Sequence, residues 1–206
     1  MPSEAYQNLD SRLKDLEQLM QAHTALTQFR RARIATEQAG GNLAKISTVV
    51  DRLVTLPGRG RRAEVGALNR AGIVLLSAHL QGYIEDVYEE AARRLLRNAV
   101  KSVEALVYEA RGRFSNPHAD VIERLFSSIG LPKILDNVSW QRASNQSIRR
   151  RLTGYVQIRN RIAHGSQEPV SKAKVGEFRK FVEVFAEKFD TKVHDEIERV
   201  MGTAPW

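Results

Sequence analysis

Hydrophobic side chains recur at helical spacing in the first part of the chain. Steps of four, three and four residues join Leu9, Leu13, Leu16 and Met20. This seam predicts a helix over residues 4–39 that packs on another helix. Gly40-Gly41 ends the helix, an apolar segment follows at 43–56, and a basic Pro/Gly-rich run begins at Pro57. We therefore predict an N-terminal helical arm over residues 1–56 and a linker over residues 57–63.

Residues 64–111 contain no proline and carry an apolar face at helical spacing. The face predicts one long core helix, or two helices in tandem, that end at Gly112. Its members are Leu68, Leu76, Leu80, Ile84, Val87, Ala91 and Leu95. The bundle is expected to span residues 64–200, with a short tail at 201–206.

Three further helices are marked by caps and breakers. Asn116-Pro117 resembles an N-cap followed by proline and predicts a short helix that runs to about Ile129. Ser144 or Asn145 caps a helix over about 146–164, which Gly165 ends. Ser171 caps a last helix to about Val200, with an inner face formed by Phe178, Val182, Phe185 and Phe189. Strand-like alternation is missing, so the predicted fold is an all-α bundle of four to five helices with an N-terminal helical arm.

The composition narrows the class of protein. The chain has 206 residues, of which 42% are hydrophobic, and it contains no cysteine. Cysteine-free chains cannot hold a disulfide, a thiolate zinc site or a cysteine nucleophile. No apolar run approaches the ~20 residues that cross a bilayer, and no signal peptide is visible. We expect a cytoplasmic protein with no membrane partner, no metal and no cofactor.

Positive charge is concentrated in one stretch. The formal net charge is +8, and no acidic residue occurs between Asp136 and Glu168. That stretch holds Arg142, Arg149, Arg150, Arg151, Arg159 and Arg161. A basic run is often only a solvated helix face, but it also suits nucleic-acid phosphates. Three of these arginines, at positions 149–151, are the candidate RNA-binding residues.

Arg159 occupies an unusual position in the helix predicted at 146–164. On a helical wheel of about 100° per residue, it falls inside the apolar stripe of Ile148, Leu152 and Tyr155. A guanidinium does not lose its proton, so burial without a partner would be costly. Either a carboxylate pairs with it, Glu85 or Asp86 being the candidates, or the stripe opens onto a cleft. The pair could also be purely structural.

The last turn of the same helix carries a candidate catalytic histidine. His164 precedes Gly165, and the negative end of a helix favours a protonated imidazole. Asn160, four residues earlier, could orient the ring, and Arg161 adds a second guanidinium. Arginines can bind phosphate while histidine moves a proton, so this set suits a phosphodiester. A helix-end histidine is otherwise often only a cap, and we interpret His23 and His79 as structural.

Arg159 and His164 do not converge naturally within one chain. Residues five positions apart project about 140° from each other on a helix. Two copies that meet around this helix could place two arginines and two histidines around one cleft. A homodimer is therefore expected.

The segment Arg159-Asn160-Arg161-Ile162-Ala163-His164-Gly165 resembles the arginine, polar residue, three-residue spacer and histidine motif of the HEPN superfamily. The segment from Arg70 to Asp86 is similar to the long helix of the RiboL-PSP-type branch. The resemblance covers residues 64–200. It implies a dimerising helical bundle, and many members are metal-independent endoribonucleases that act as toxins or defence effectors. It implies catalytic roles for Arg159 and His164, support from Asn160, and a supporting acidic residue at Glu85 or Asp86.

Other functions stay open at this point. HEPN proteins without activity serve as RNA-binding or protein-assembly modules, so a non-catalytic module is the alternative to an enzyme. A helical DNA-binding regulator is disfavoured because no compact helix-turn-helix precedes the basic helix. The RNA target and the existence of an antitoxin or immunity protein are not encoded in these patterns.

Overall fold

The computed structural model describes residues 1–39, 61–97, 101–141 and 143–206. These residues form helices and connecting turns, with no strand among them beyond one isolated bridge between Trp140 and Ala143. The helices are α1 (Glu4–Ala39), α2 (Arg61–Leu95), α3 (Lys101–Gly112), α4 (Ala119–Ser127), α5 (Asn145–Ala163) and α6 (Lys172–Met201). The predicted all-α bundle is confirmed.

The N-terminal helix is integrated into the bundle. Its predicted seam is buried, because Leu9, Leu13 and Leu16 are at most 4% exposed and belong to the main core. Two carboxylates hold its first turn: the backbone N–H of Ser3 donates to Asp190 at 3.1 Å, and that of Ala5 donates to Glu90 at 2.6 Å. The arm therefore shares one core with α2 and α6. The apolar segment at 43–56 and linker residues 57–60 lie outside the described residues, and residues 61–63 begin α2.

The long apolar run of the sequence forms two helices in tandem. Turn residues Leu96 and Arg97 follow α2, and α3 then ends at Gly112 as predicted. The middle of the predicted face is fully buried, whereas Leu68 and Leu95 near its two ends are only partly buried. The face packs on α6, where the Tyr83 hydroxyl donates to the carbonyl of Ala186 at 2.8 Å.

The helix predicted to begin at Asn116-Pro117 begins two residues later. His118, not Asn116, is the N-cap of α4, and its side chain makes no capping hydrogen bond. The prediction of Asn116 as a cap was wrong, because its side-chain oxygen accepts a hydrogen bond from Arg159 instead. Gly130, at φ 86°, ends this region in a left-handed conformation that glycine adopts easily.

The predicted caps of the last two helices are confirmed. The Ser144 side chain accepts from the N–H of Ser147 at the start of α5. Ser171 caps α6 by accepting from the N–H of Lys174 at 3.1 Å. Asn145, the alternative cap, instead donates to the carbonyls of Leu135 and Val138 at 2.6 and 3.0 Å. Asn145 therefore fastens the preceding loop to α5.

Aromatic stacking fixes α5 against α6. Tyr155 stacks on Phe178 with ring centroids 3.8 Å apart, and Phe181 lies beside it. The predicted inner face of α6 is buried, with Phe178, Val182, Phe185 and Phe189 at most 1% exposed. Because Tyr155 lies one turn before Arg159, this packing sets the position of the last turns of α5.

Within the described ranges, no helix is long and apolar enough to cross a membrane.

A buried histidine makes the docking of α1 sensitive to pH. His23 is 6% exposed, and neither ring nitrogen has a hydrogen-bond partner among the described residues. Burial lowers the pKa of His23 from its usual value, and the nearby Lys172 lowers it further. The unfolded chain therefore takes up this proton more readily, so folding stability falls as the pH drops below about 6.5 toward the lowered pKa of the folded state.

We predict that His23→Leu stabilises the protein by about 1 kcal/mol at neutral pH, because it removes an unsatisfied buried polar group. The gain should grow between pH 7 and pH 5, where the wild-type imidazole resists protonation. Urea unfolding of both proteins across this range measures the difference. An identical pH dependence in the two proteins would contradict the assignment.

Candidate functional site

The end of α5 is a tightly closed helix terminus. His164 is the C-cap residue, and Gly165 follows with φ 83°. The N–H of Gly165 donates to the carbonyl of Ile162 at 3.0 Å, and that of Ser166 donates to Arg161 at 2.9 Å. This pair of bonds is a Schellman motif, which needs a residue such as glycine in the left-handed conformation. The His164 side chain is exposed at this terminus.

Arg159 continues the buried stripe of α5 but reaches partly into solvent. Leu152 and Tyr155 are buried on the same stripe, and Arg159 itself is half-buried. Its Nη1 atom donates to the side-chain oxygen of Asn160 at 3.0 Å and to that of Asn116 at 3.4 Å. No carboxylate among the described residues lies within ion-pair distance. The guanidinium is therefore held by neutral acceptors, and its positive charge is not compensated there.

The carboxylates expected beside Arg159 are engaged elsewhere. Asp86 forms an ion pair with Arg12 of α1 at 2.7 Å. Glu85 accepts from Gln81 at 2.9 Å and lies 3.7 Å from Arg111 of α3. The expectation that one of them pairs with Arg159 was wrong, because cations from α1 and α3 reach these acids.

Asn160 and Arg161 make contacts that differ from the expected ones. The Asn160 side chain accepts from Arg159, and only its backbone carbonyl contacts residue 164, by accepting from the N–H at 2.9 Å. The expected orientation of the His164 ring by Asn160 is not seen. Arg161 donates twice to Glu168, at 2.7 and 2.8 Å, and this pairing lowers the pKa of the Glu168 carboxyl. Arg161 is therefore neutralised by a carboxylate just beyond the helix end.

The three candidate RNA-binding arginines have different surroundings. Arg149 donates to Glu123, and it contacts Asp136 at 3.1 Å and Asn145 at 2.9 Å. These bonds, led by that to Glu123, raise the pKa of Arg149. Its guanidinium is thus committed to joining α4, α5 and the loop between them. Arg150 is exposed, and exposed Arg151 places its guanidinium 4.7 Å from the Phe181 ring centroid. The side chain of Arg142 lies outside the described residues.

One helix face extends from His164 along the surface of α5. His164, Gln157 and Arg150 are exposed at steps of seven residues, so they share one face. Seven helical residues rise about 10.5 Å, which places Arg150 about 21 Å from the helix end.

A set of metal-ligand side chains lies far from this terminus. His194, Asp195 and Glu198 of α6 place their ligand atoms within 4.8 Å of one another. At about 1.5 Å per residue, His194 lies roughly 33 Å along α6 from Lys172, the end that adjoins α5. Asp195 and Glu198 are exposed surface carboxylates. This group is not part of the site at Arg159 and His164.

Asn116 is the residue that sequence reasoning missed at this site. It lies 43 positions before Arg159, in the loop between α3 and α4. The Asn-Pro pair indicated a helix cap, and no local pattern links it to the α5 motif. Only the packed bundle brings the two side chains together.

Comparison with known proteins identifies the family. The family model described as RiboL-PSP-HEPN matches residues 42–195, a range that includes α2 to α5 and most of α6. The searches of curated proteins and of solved structures returned no match. A HEPN domain suggests a nuclease or RNA-binding role. Because the match spans well over half of the 206 residues, the chain belongs to the RiboL-PSP-HEPN family.

Proposed function

We propose that this protein is a metal-independent endoribonuclease with a composite site of Arg159 and His164 at a homodimer interface. The observation that carries the proposal is the environment of Arg159. Its guanidinium is held by two neutral amide oxygens. The exposed imidazole of His164 follows five residues later in the chain. An uncompensated, partly desolvated cation attracts a phosphodiester, and an imidazole that a second subunit brings to it can move a proton.

In the proposed reaction, the 2′-hydroxyl oxygen of RNA attacks the adjacent phosphorus. The bond from phosphorus to the 5′-oxygen breaks, which leaves a 2′,3′-cyclic phosphate and a 5′-hydroxyl. One imidazole accepts the 2′-hydroxyl proton, and the second subunit's imidazole supplies a proton to the leaving oxygen. Arg159 stabilises the negative charge that builds up on the equatorial phosphate oxygens.

The helix geometry favours a site built from two subunits. Arg159 lies on the core-facing stripe of α5, whereas His164 caps the helix end and is exposed. One chain therefore offers the guanidinium and the imidazole in different directions. A two-fold axis beside α5 would bring both groups from both subunits around one cleft. By its resemblance to HEPN toxins, such an enzyme would serve as a toxin or defence effector.

We predict that the wild-type protein cuts single-stranded RNA in the presence of EDTA and leaves 2′,3′-cyclic phosphate ends. His164→Ala and Arg159→Ala should each lower kcat by about a hundredfold or more, as loss of a proton-transfer group or a charge-stabilising donor does. Denaturing gels of end-labelled RNA measure the rate. His194→Ala, far along α6, is the matched control and should cut normally.

Equal cutting by wild type and His164→Ala would exclude His164 from catalysis. RNA binding without cutting by any of the proteins would favour the alternative, a non-catalytic RNA-binding or assembly module.

Substitutions at the adjacent residues Arg149 and Arg150 test folding stability and RNA binding separately. Arg149→Ala should lower the free energy of unfolding by about 1–2 kcal/mol, because it leaves Glu123 and Asp136 without their shared cation. Arg150→Ala should keep stability within about 0.5 kcal/mol. It should weaken RNA binding and reduce the salt dependence by the ~0.7 units expected for one lost phosphate contact. Thermal unfolding and binding titrations at several salt concentrations check this. The prediction fails if Arg150→Ala binds RNA with unchanged salt dependence.

The composite site requires self-association. Sedimentation should give a mass near twice 23.3 kDa at the concentrations where RNA is cut. An excess of His164→Ala protein should then lower the activity of a fixed amount of wild type, because mixed dimers carry one imidazole. Full activity in a monomeric preparation would contradict the two-subunit site.

A further inference from the structure

Several other arginines in the described fold contact acids. Four of them, Arg12, Arg111, Arg149 and Arg179, are half-buried and each contact at least one carboxylate. Arg159, equally half-buried, contacts two amides. A carboxylate would cancel the guanidinium charge, whereas an amide oxygen orients the group and leaves the charge intact. The choice of acceptors thus distinguishes Arg159 from these four arginines.

Only one nitrogen of Arg159 is used by these contacts. Both hydrogen bonds come from Nη1, so the Nε and Nη2 donors have no acceptor among the described residues. The N–H groups of Nε and Nη2 lie on one edge of the planar guanidinium. That edge matches two oxygens of a phosphate. The amides therefore occupy one corner of the guanidinium and leave its bidentate edge open.

The loop around Asn116 is suited to hold a side chain in place. Phe114 and Pro117 on either side are buried, and proline fixes its own backbone φ angle. The N–H of Phe114 donates to the carbonyl of Arg111 at 2.9 Å, and that of His118 donates to Asn116 at 2.7 Å. The Asn116 amide is therefore presented to α5 by an anchored turn. It belongs to neither the α5 motif nor the α4 cap.

We propose that Asn116 is a positioning residue, which holds the guanidinium of Arg159 through a neutral acceptor so that its open edge faces a scissile phosphate. This inference rests on the proposed function, and it adds a residue from the loop between α3 and α4 to the site. Asn160 orients the guanidinium from within α5, and Asn116 does so from across the bundle. The site therefore depends on the docking of that loop.

Asn116→Asp tests the proposal because it keeps the shape of the acceptor and adds a negative charge. The new ion pair should raise the melting temperature of the full chain by about 2 °C, as a modest gain in stability does. The same change in an Arg159→Ala background should give no increase. An equal shift in both backgrounds would overturn the contact between residues 116 and 159.

Binding and cutting of RNA give the second measurement. Asn116→Asp should weaken binding to a non-cleavable 2′-O-methyl RNA about tenfold and lower kcat on RNA at least tenfold. Ser115→Asp, which adds the same charge on the neighbouring exposed side chain, should change either value less than threefold. Normal cutting by Asn116→Asp would overturn the proposal. Failure of the wild type to bind or cut RNA would overturn the proposed function and the role of Asn116 in it. The melting-temperature cycle uses no RNA, so it would still test the contact between residues 116 and 159.

Discussion

The candidate site depends on one constraint. The guanidinium of Arg159, which cannot lose its proton, lies half-buried near the end of the core helix α5. Most buried cations are balanced by acids, and four half-buried arginines of this bundle, Arg12, Arg111, Arg149 and Arg179, follow that rule. Arg159 is held by Asn116 and Asn160 instead. The site therefore keeps a desolvation cost that an anionic ligand would relieve. This uncompensated charge is the basis for proposing an RNA phosphate as the ligand.

The rest of the bundle keeps this charge in place. Stacking of Tyr155 on Phe178 fixes α5 one turn before Arg159. The Schellman turn at Gly165 then ends the helix and leaves the His164 ring exposed. Arg149 ties α5 to α4 through Glu123, so it shapes the site without belonging to it. The same helix thus carries arginines paired with carboxylates, Arg149 and Arg161, and one arginine held by amides, Arg159.

The sequence was sufficient to predict the features of the fold that depend on local patterns. Periodic apolar positions predicted the helices, and Ser144, Gly165 and Ser171 predicted their ends, because caps act within a few residues. Contacts between distant segments were not predictable. Glu85 or Asp86 was the candidate partner of Arg159, whereas Arg12 and Arg111 contact these acids, and Asn116 was interpreted as a cap. Each error concerns a polar partner that only the three-dimensional packing selects.

A crystal structure of the protein with a 2′-O-methyl RNA tests the central claim most directly. The account predicts a backbone phosphate within hydrogen-bond distance of the Nε and Nη2 atoms of Arg159, with an imidazole of residue 164 from a second subunit beside it. RNA bound along another face, with Arg159 away from every phosphate and from any second copy of α5, would contradict it.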